Sequence, residues 1–144
     1  MSTSPGFVDG YLAYLLARAS HLMSSEFHAV VEASGLSLME WRVMASLSGK
    51  CALSVGELAD IVLAKQPTVT KLVGRMAEAG WVTRCDAPND KRQSLVSLTP
   101  AGRRQVKPLL AQAQAHEAQV LAGIGPNEVI QLKHTLERLI TARG

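Results

Sequence analysis

From Val8 to about Ser34 the apolar positions Val8, Tyr11, Leu12, Leu15, Leu16, Ala19, Leu22, Met23, Phe27, Val30 and Val31 recur at steps of three and four. That spacing predicts one long amphipathic helix. Gly35 supplies a left-handed stop, and Ser37-Leu38-Met39-Glu40 is a capping box that opens a second helix running to about Leu47. Ser54-Val55-Gly56-Glu57 repeats the same grammar, followed by Leu58, Ala59, Ile61 and Val62 as the buried face of a short third helix. After a tight break at Ala64 to Gln66, Pro67 suits the first turn of a fourth helix, where its missing N–H is not needed.

This fourth helix sorts its residues sharply. Val69, Leu72, Val73 and Met76 fall at i, i+3, i+4 and i+7, which leaves Gln66, Thr68, Thr70, Lys71, Gly74 and Arg75 on the opposite side. Gly80 ends it. Trp81 to Cys85 and Leu95 to Leu98 are β-prone runs around the turn-rich segment 86–93, which predicts a hairpin with a charged tip. Thr99 and Pro100 then launch a long helix through Val106, Leu109, Leu110 and Ala113 to about Leu121, with Pro108 expected to bend it. Gly123 to Pro126 breaks the chain, and Val129, Leu132, Leu136, Leu139 and Ile140 mark a last amphipathic helix.

Composition narrows the fold class. Of 144 residues, 47% are hydrophobic and only 4% aromatic, so an aliphatic core on helices is expected rather than a β-sandwich. The expected architecture is mainly α with a small β-wing. It is one domain over 1–144: a winged helix-turn-helix lobe at about 37–99, flanked by helices at about 8–34 and 100–143. The flanking helices carry broader apolar faces than a lobe of that size can cover, which predicts a twofold dimer built from them. The chain has two cysteines, too few for a disulfide framework, and no apolar run long enough to span a bilayer. A cytoplasmic protein without cofactor or membrane association is therefore expected.

The net charge of +3 conceals a segregation. Residues 1–64 carry three basic groups against six acidic ones, whereas residues 65–104 carry eight against three. The basic stretch coincides with the polar face of the fourth helix and with the hairpin, as a reader of double-stranded DNA requires. Gln66, Thr68 and Thr70 are short polar groups suited to base edges and phosphates. Lys71, Arg75 and Arg84 reach backbone oxygens or guanine. At the hairpin tip Arg92 is the expected minor-groove residue, with Lys91 beside it and Asp90 orienting it or a neighbouring arginine.

The run Asp90-Lys91-Arg92 followed by Leu98-Thr99-Pro100-Ala101-Gly102 resembles the wing signature of the MarR family of bacterial transcriptional regulators, Asp-x-Arg followed by Leu-Thr-x-x-Gly. Gly80 to Arg84 and Gln66 to Val73 resemble the family's approach to the wing and its recognition-helix opening, and the likeness extends from Tyr11 to Ile140. The resemblance implies a homodimer on a pseudo-palindromic operator, with recognition helices in major grooves and wings along adjacent minor grooves. It also implies repression as the commoner outcome, and a small-molecule effector bound between the dimerisation helices and the DNA-binding lobe.

The first helix offers residues for such a site. Tyr14, Arg18, His21, Ser25 and His28 form a polar stripe at steps of three and four, and Trp41 and Arg42 open the second helix. An aromatic acid matches this chemistry: Arg18 for a carboxylate, His21 or His28 for a ring substituent, Trp41 for stacking. The competing assignment pairs Arg18 and the histidines with Glu26 or Glu32 across a subunit interface. A metal site from His21, His28, His116 and His134 lacks a close carboxylate or thiolate cluster, so no metal is expected. Some relatives in the resembling family sense peroxides through a cysteine near the start of the first helix. Here Phe7 to Arg18 contains none, and Cys51 and Cys85 lie elsewhere.

Two other classes compete. No phosphate-cradling glycine loop, H-E-x-x-H motif or nucleophile elbow is present, so an enzyme is not expected. A winged helix used as a protein-interaction module is the alternative to a DNA reader, and a thiol-based redox-responsive regulator is the alternative to an aromatic-acid sensor.

Overall fold

The computed structural model describes the backbone of residues 6–87 and 90–144, and the side chains of these residues other than 87 and 90–93. A 3-10 turn at Phe7–Gly10 precedes α1 (Leu12–Ala33), α2 (Leu38–Leu47), β1 (Leu53–Ser54), α3 (Val55–Val62) and α4 (Gln66–Glu78). There follow β2 (Val82–Ala87), β3 (Asp90–Leu98), α5 (Pro100–Val120) and α6 (Pro126–Arg143). The three strands form one antiparallel sheet in the order β1-β3-β2.

Local signals set most of these limits. Both capping boxes form: the Glu40 N–H donates to Ser37 Oγ at 3.1 Å and the Ser37 N–H to Glu40 Oε1 at 2.8 Å. Ser54 and Glu57 repeat the exchange at 3.0 and 3.1 Å. Each such cap stabilises its helix by about 1 kcal/mol. Gly35 and Gly80 follow α1 and α4 at positive φ, and α5 runs unbroken through Pro108.

Four details differ from the sequence reading. The first helix does not begin at Val8: Tyr11 is extended, and the apolar periodicity upstream belongs to the separate 3-10 turn. Glycine at position 10 disfavours a helix there, while a turn of three residues keeps a similar spacing of apolar groups. The α3–α4 break is made by Leu63, at φ 59°, without a glycine. Gln66 rather than Pro67 is the first residue of α4. The predicted hairpin is longer than expected and has a third strand, β1, whose Leu53 and Ser54 pair with Val96 and Leu95. Two residues are too short to show an alternation.

The core lies inside the lobe and where α1 and α5 cross it. Val43, Met44 and Leu47 of α2, Leu58 of α3, and Val69, Leu72, Val73 and Met76 of α4 pack against Val82, Val96 and Leu98 of the sheet. Phe27 and Val31 of α1 and Val106 and Leu109 of α5 close it. All four apolar residues assigned to the inner face of α4 are buried. By contrast, α6 has no buried residue, and Phe7, Leu12, Leu15, Leu22, Ile130 and Ile140 are exposed.

Candidate nucleic-acid interface and effector cleft

Because Val69, Leu72, Val73 and Met76 anchor α4 from one side, Gln66, Thr68, Thr70, Lys71 and Arg75 stand exposed on the other. The helix is about 20 Å long at 1.5 Å per residue, a length that fits a major groove. Arg84 is exposed on β2, in register with Val96. Asp90, Lys91 and Arg92 begin β3, at the hairpin end farthest from α5, and their side chains lie outside the described residues.

One neighbour of this face was not legible in the sequence. An ideal Cβ on Gly56 of α3 would stand 2.9 Å from Gln66 Nε2, so the missing side chain leaves room for the Gln66 amide at the start of α4. Gly56→Ala is expected to displace that amide while changing stability by less than about 1 kcal/mol, since the far end of a flexible side chain moves cheaply. Site selection with this variant should change base preference at the position that Gln66→Ala also relaxes. An unchanged preferred site in both would remove Gln66 from recognition.

A second feature lies on the other side of the lobe. Between α1, α2 and α5 is a cleft of about 270 Å³ whose walls include Phe27, His28, Trp41, Arg42 and His116. The Phe27 ring lies 5.4 Å from the Trp41 ring and 5.8 Å from the His116 imidazole. His116 Nε2 is 2.8 Å from Glu26 Oε2, which ties α5 to α1. The His28 Nε2 is sequestered from solvent without a hydrogen-bond partner among the described residues. A buried imidazole nitrogen without a partner is destabilising by about 1 to 3 kcal/mol, and turning the ring toward the cleft would let a ligand satisfy it.

The structure brings together only part of the predicted effector set. His28 and Trp41 line the cleft, and Arg42 joins them. Tyr14 and Arg18 stand apart, with Arg18 Nη1 donating to Tyr14 Oη at 3.3 Å, and His21 is exposed. The stripe does run along one side of α1, but from Tyr14 to His28 it extends about 21 Å, whereas α1 lines the cleft only from Met23 to His28. Phe27 and His116 were missed as cleft residues. Phe27 reads as ordinary core periodicity, and His116 lies on α5, 88 positions beyond His28 in the numbering. Within the chain Glu26 pairs with His116 of α5. Among the described residues no three His, Cys, Asp or Glu side chains converge as a metal site. Cys51 and Cys85 are exposed and unpaired within the chain.

A model of the MarR family matches residues 34–93, the lobe from the end of α1 into the wing. The chain is 31% identical over 134 residues to the transcriptional activatory protein BadR of Rhodopseudomonas palustris, covering 90% of this chain and 76% of that protein. It is 30% identical over 131 residues to the homoprotocatechuate degradative operon repressor of Escherichia coli, covering 90% and 87%. Among solved structures, the MarR family transcriptional regulator SPO1453 from Silicibacter pomeroyi matches with a TM-score of 0.84 and 36% identity, over 97% of this chain and all of that one. NadR in complex with 4-hydroxyphenylacetate shares the fold with a TM-score of 0.85 at 21% identity, over 96% and 97% of the two chains. An exposed polar face on α4, a wing carrying the Leu98-Thr99 and Gly102 signature, and these likenesses over nearly the whole chain have one reading: the protein belongs to the MarR family of transcriptional regulators.

Proposed function

We propose that the protein acts as a homodimer on a pseudo-palindromic operator, as a repressor released when a small aromatic acid enters the cleft between α1, α2 and α5. The observation that carries the effector assignment is the cleft itself, whose walls gather the rings of Phe27, Trp41, His28 and His116 with the Arg42 side chain. Stacking against these rings, a charge-assisted bond from Arg42 to a carboxylate and a hydrogen bond to His28 would satisfy an aryl acid at every edge. NadR binds an aryl acid of this kind, 4-hydroxyphenylacetate, and the Escherichia coli relative is the repressor of a homoprotocatechuate degradative operon.

The position of the cleft supplies the mechanism. Its walls come from α2 of the lobe and from α1 and α5, which lead to the exposed apolar residues of the 3-10 turn, α1 and α6. Burying those residues against a second copy removes them from water and makes the two recognition helices a linked pair. A ligand that favours one angle of α2 against α5 then sets the spacing of the pair, and only such a difference in affinity between states changes DNA binding.

Operator selection from a random duplex library at near-physiological salt, followed by release assays with 4-hydroxyphenylacetate and homoprotocatechuate, tests both halves. A palindrome with half-sites about one helical turn apart is expected. Arg92→Ala is expected to weaken the selected site by about 1 to 3 kcal/mol without unfolding the protein. Arg42→Ala should keep operator affinity and lose release. Absence of an enriched site would transfer the winged helix to a protein partner, and release that survives Arg42→Ala would place the effector outside this cleft.

A further inference from the structure

Lys50, Arg103 and Lys107 line one cleft of about 200 Å³, with Leu47, Leu98 and Val106 in its walls. The three apolar side chains are nearly or fully buried, whereas the three cations are exposed. Lys50 comes from the turn after α2, Leu98 ends β3, and Arg103 and Lys107 lie one turn apart near the start of α5. The group is therefore assembled by tertiary structure. Among the described residues the ion pairs are His116 with Glu26 and Lys133 with Glu117, and none involves these three cations.

Three cations around one cleft make its mouth electropositive, which favours an anion there. A monocarboxylate carries one charge, whereas a phosphate monoester carries about −1.5 to −2 at neutral pH and offers three acceptor oxygens. The apolar walls favour an organic ester over the inorganic ion. The site also lies far from the wing tip. Asp90, at the wing end of β3, is eight residues from Leu98, about 26 Å at 3.3 Å per residue.

We propose that this cleft is a second effector site, which binds an organic phosphate with its phosphoryl group among Lys50, Arg103 and Lys107 and its carbon skeleton against Leu98 and Leu110, above the buried Leu47 and Val106. Such a ligand bridges the lobe, through Lys50, to α5, through Arg103 and Lys107, and so restrains the joint between the DNA-binding and dimerisation elements. The site shares no lining residue with the aromatic cleft and stands whether or not that cleft takes an aryl acid.

Hexyl phosphate, titrated into the full-length protein with methyl resonances of Leu47, Leu98 and Val106 observed by NMR, is the direct test. Saturable shifts at these methyls are expected, with binding at least about tenfold tighter than for inorganic phosphate or hexanoate. The double variant Arg103→Gln/Lys107→Gln, whose replaced side chains are exposed, should weaken hexyl phosphate about tenfold or more and leave the salt dependence of operator binding unchanged. Equal binding of hexanoate would overturn the phosphate assignment. Shifts centred on α4 instead would reduce the effect to general anion binding on the basic face. A shallower salt slope of operator binding in the double variant would assign the cations to DNA.

Discussion

Gly102→Ala is expected to destabilise the protein by about 3 kcal/mol or more, a loss read as a fall of roughly 10 °C in Tm. A methyl group at this position would overlap the Trp81 carbonyl oxygen, and it would stand 3.0 Å from the Trp81 carbonyl carbon and 3.2 Å from Leu98 Cδ2. Backbone is the obstacle, so no rotamer change relieves it. The same carbonyl accepts the Thr99 N–H at 3.0 Å, while Thr99 Oγ1 accepts the Gly102 N–H at 3.0 Å and donates to the Gly80 carbonyl. The first turn of α5 is thus pinned to the start of β2 by a threonine and a glycine three residues apart. Displacing that turn shifts α5 against the wing, and operator affinity should fall with stability. Gly74→Ala is the control: no atom lies within 4 Å of its Cβ position in the middle of α4, and there alanine should add about 0.5 to 1 kcal/mol. Equal and small effects at both positions would mean that the close approach of α5 to Trp81 does not exist in solution.

The double charge reversal Lys71→Glu/Arg75→Glu is expected to abolish operator binding, by about 100-fold or more near 0.1 M salt, while leaving Tm almost unchanged. Both side chains are exposed on α4, opposite the buried Val69, Leu72, Val73 and Met76, so the fold does not depend on them. Each cation that neutralises a phosphate releases a counterion. Replacing it by a carboxylate removes that gain and adds repulsion from the backbone charge. Fluorescence anisotropy over a salt series checks the origin of the loss, since the slope of log K against log salt should flatten by about one for each phosphate contact removed. Affinity within threefold of the parent protein would place the DNA-contacting face elsewhere than α4.

The two variants also separate kinds of information. Lys71 and Arg75 are legible in the sequence because one helix displays its own period: the i, i+3, i+4, i+7 run of α4 names the buried side and, by exclusion, the exposed one. Capping boxes are legible for the same reason, since each exchange spans three residues. Gly102 was visible only as part of a resemblance. Its physical cause, contact with a carbonyl 21 positions earlier, belongs to no local pattern.

The sequence alone therefore determined the order of helices and wing, the exposed polar face of α4 and the segregation of basic charge, all properties of short windows with a helical or strand period. Tertiary structure decided which polar residues meet. It left Tyr14 and Arg18 outside the aromatic cleft, closed that cleft with His116 from α5, and gathered Lys50 with Arg103 and Lys107. It also added β1, whose two residues form a strand only because β3 is beside them. The reason is common to all four: a period along the chain states which way a side chain faces, and only the packing of distant segments states what it faces.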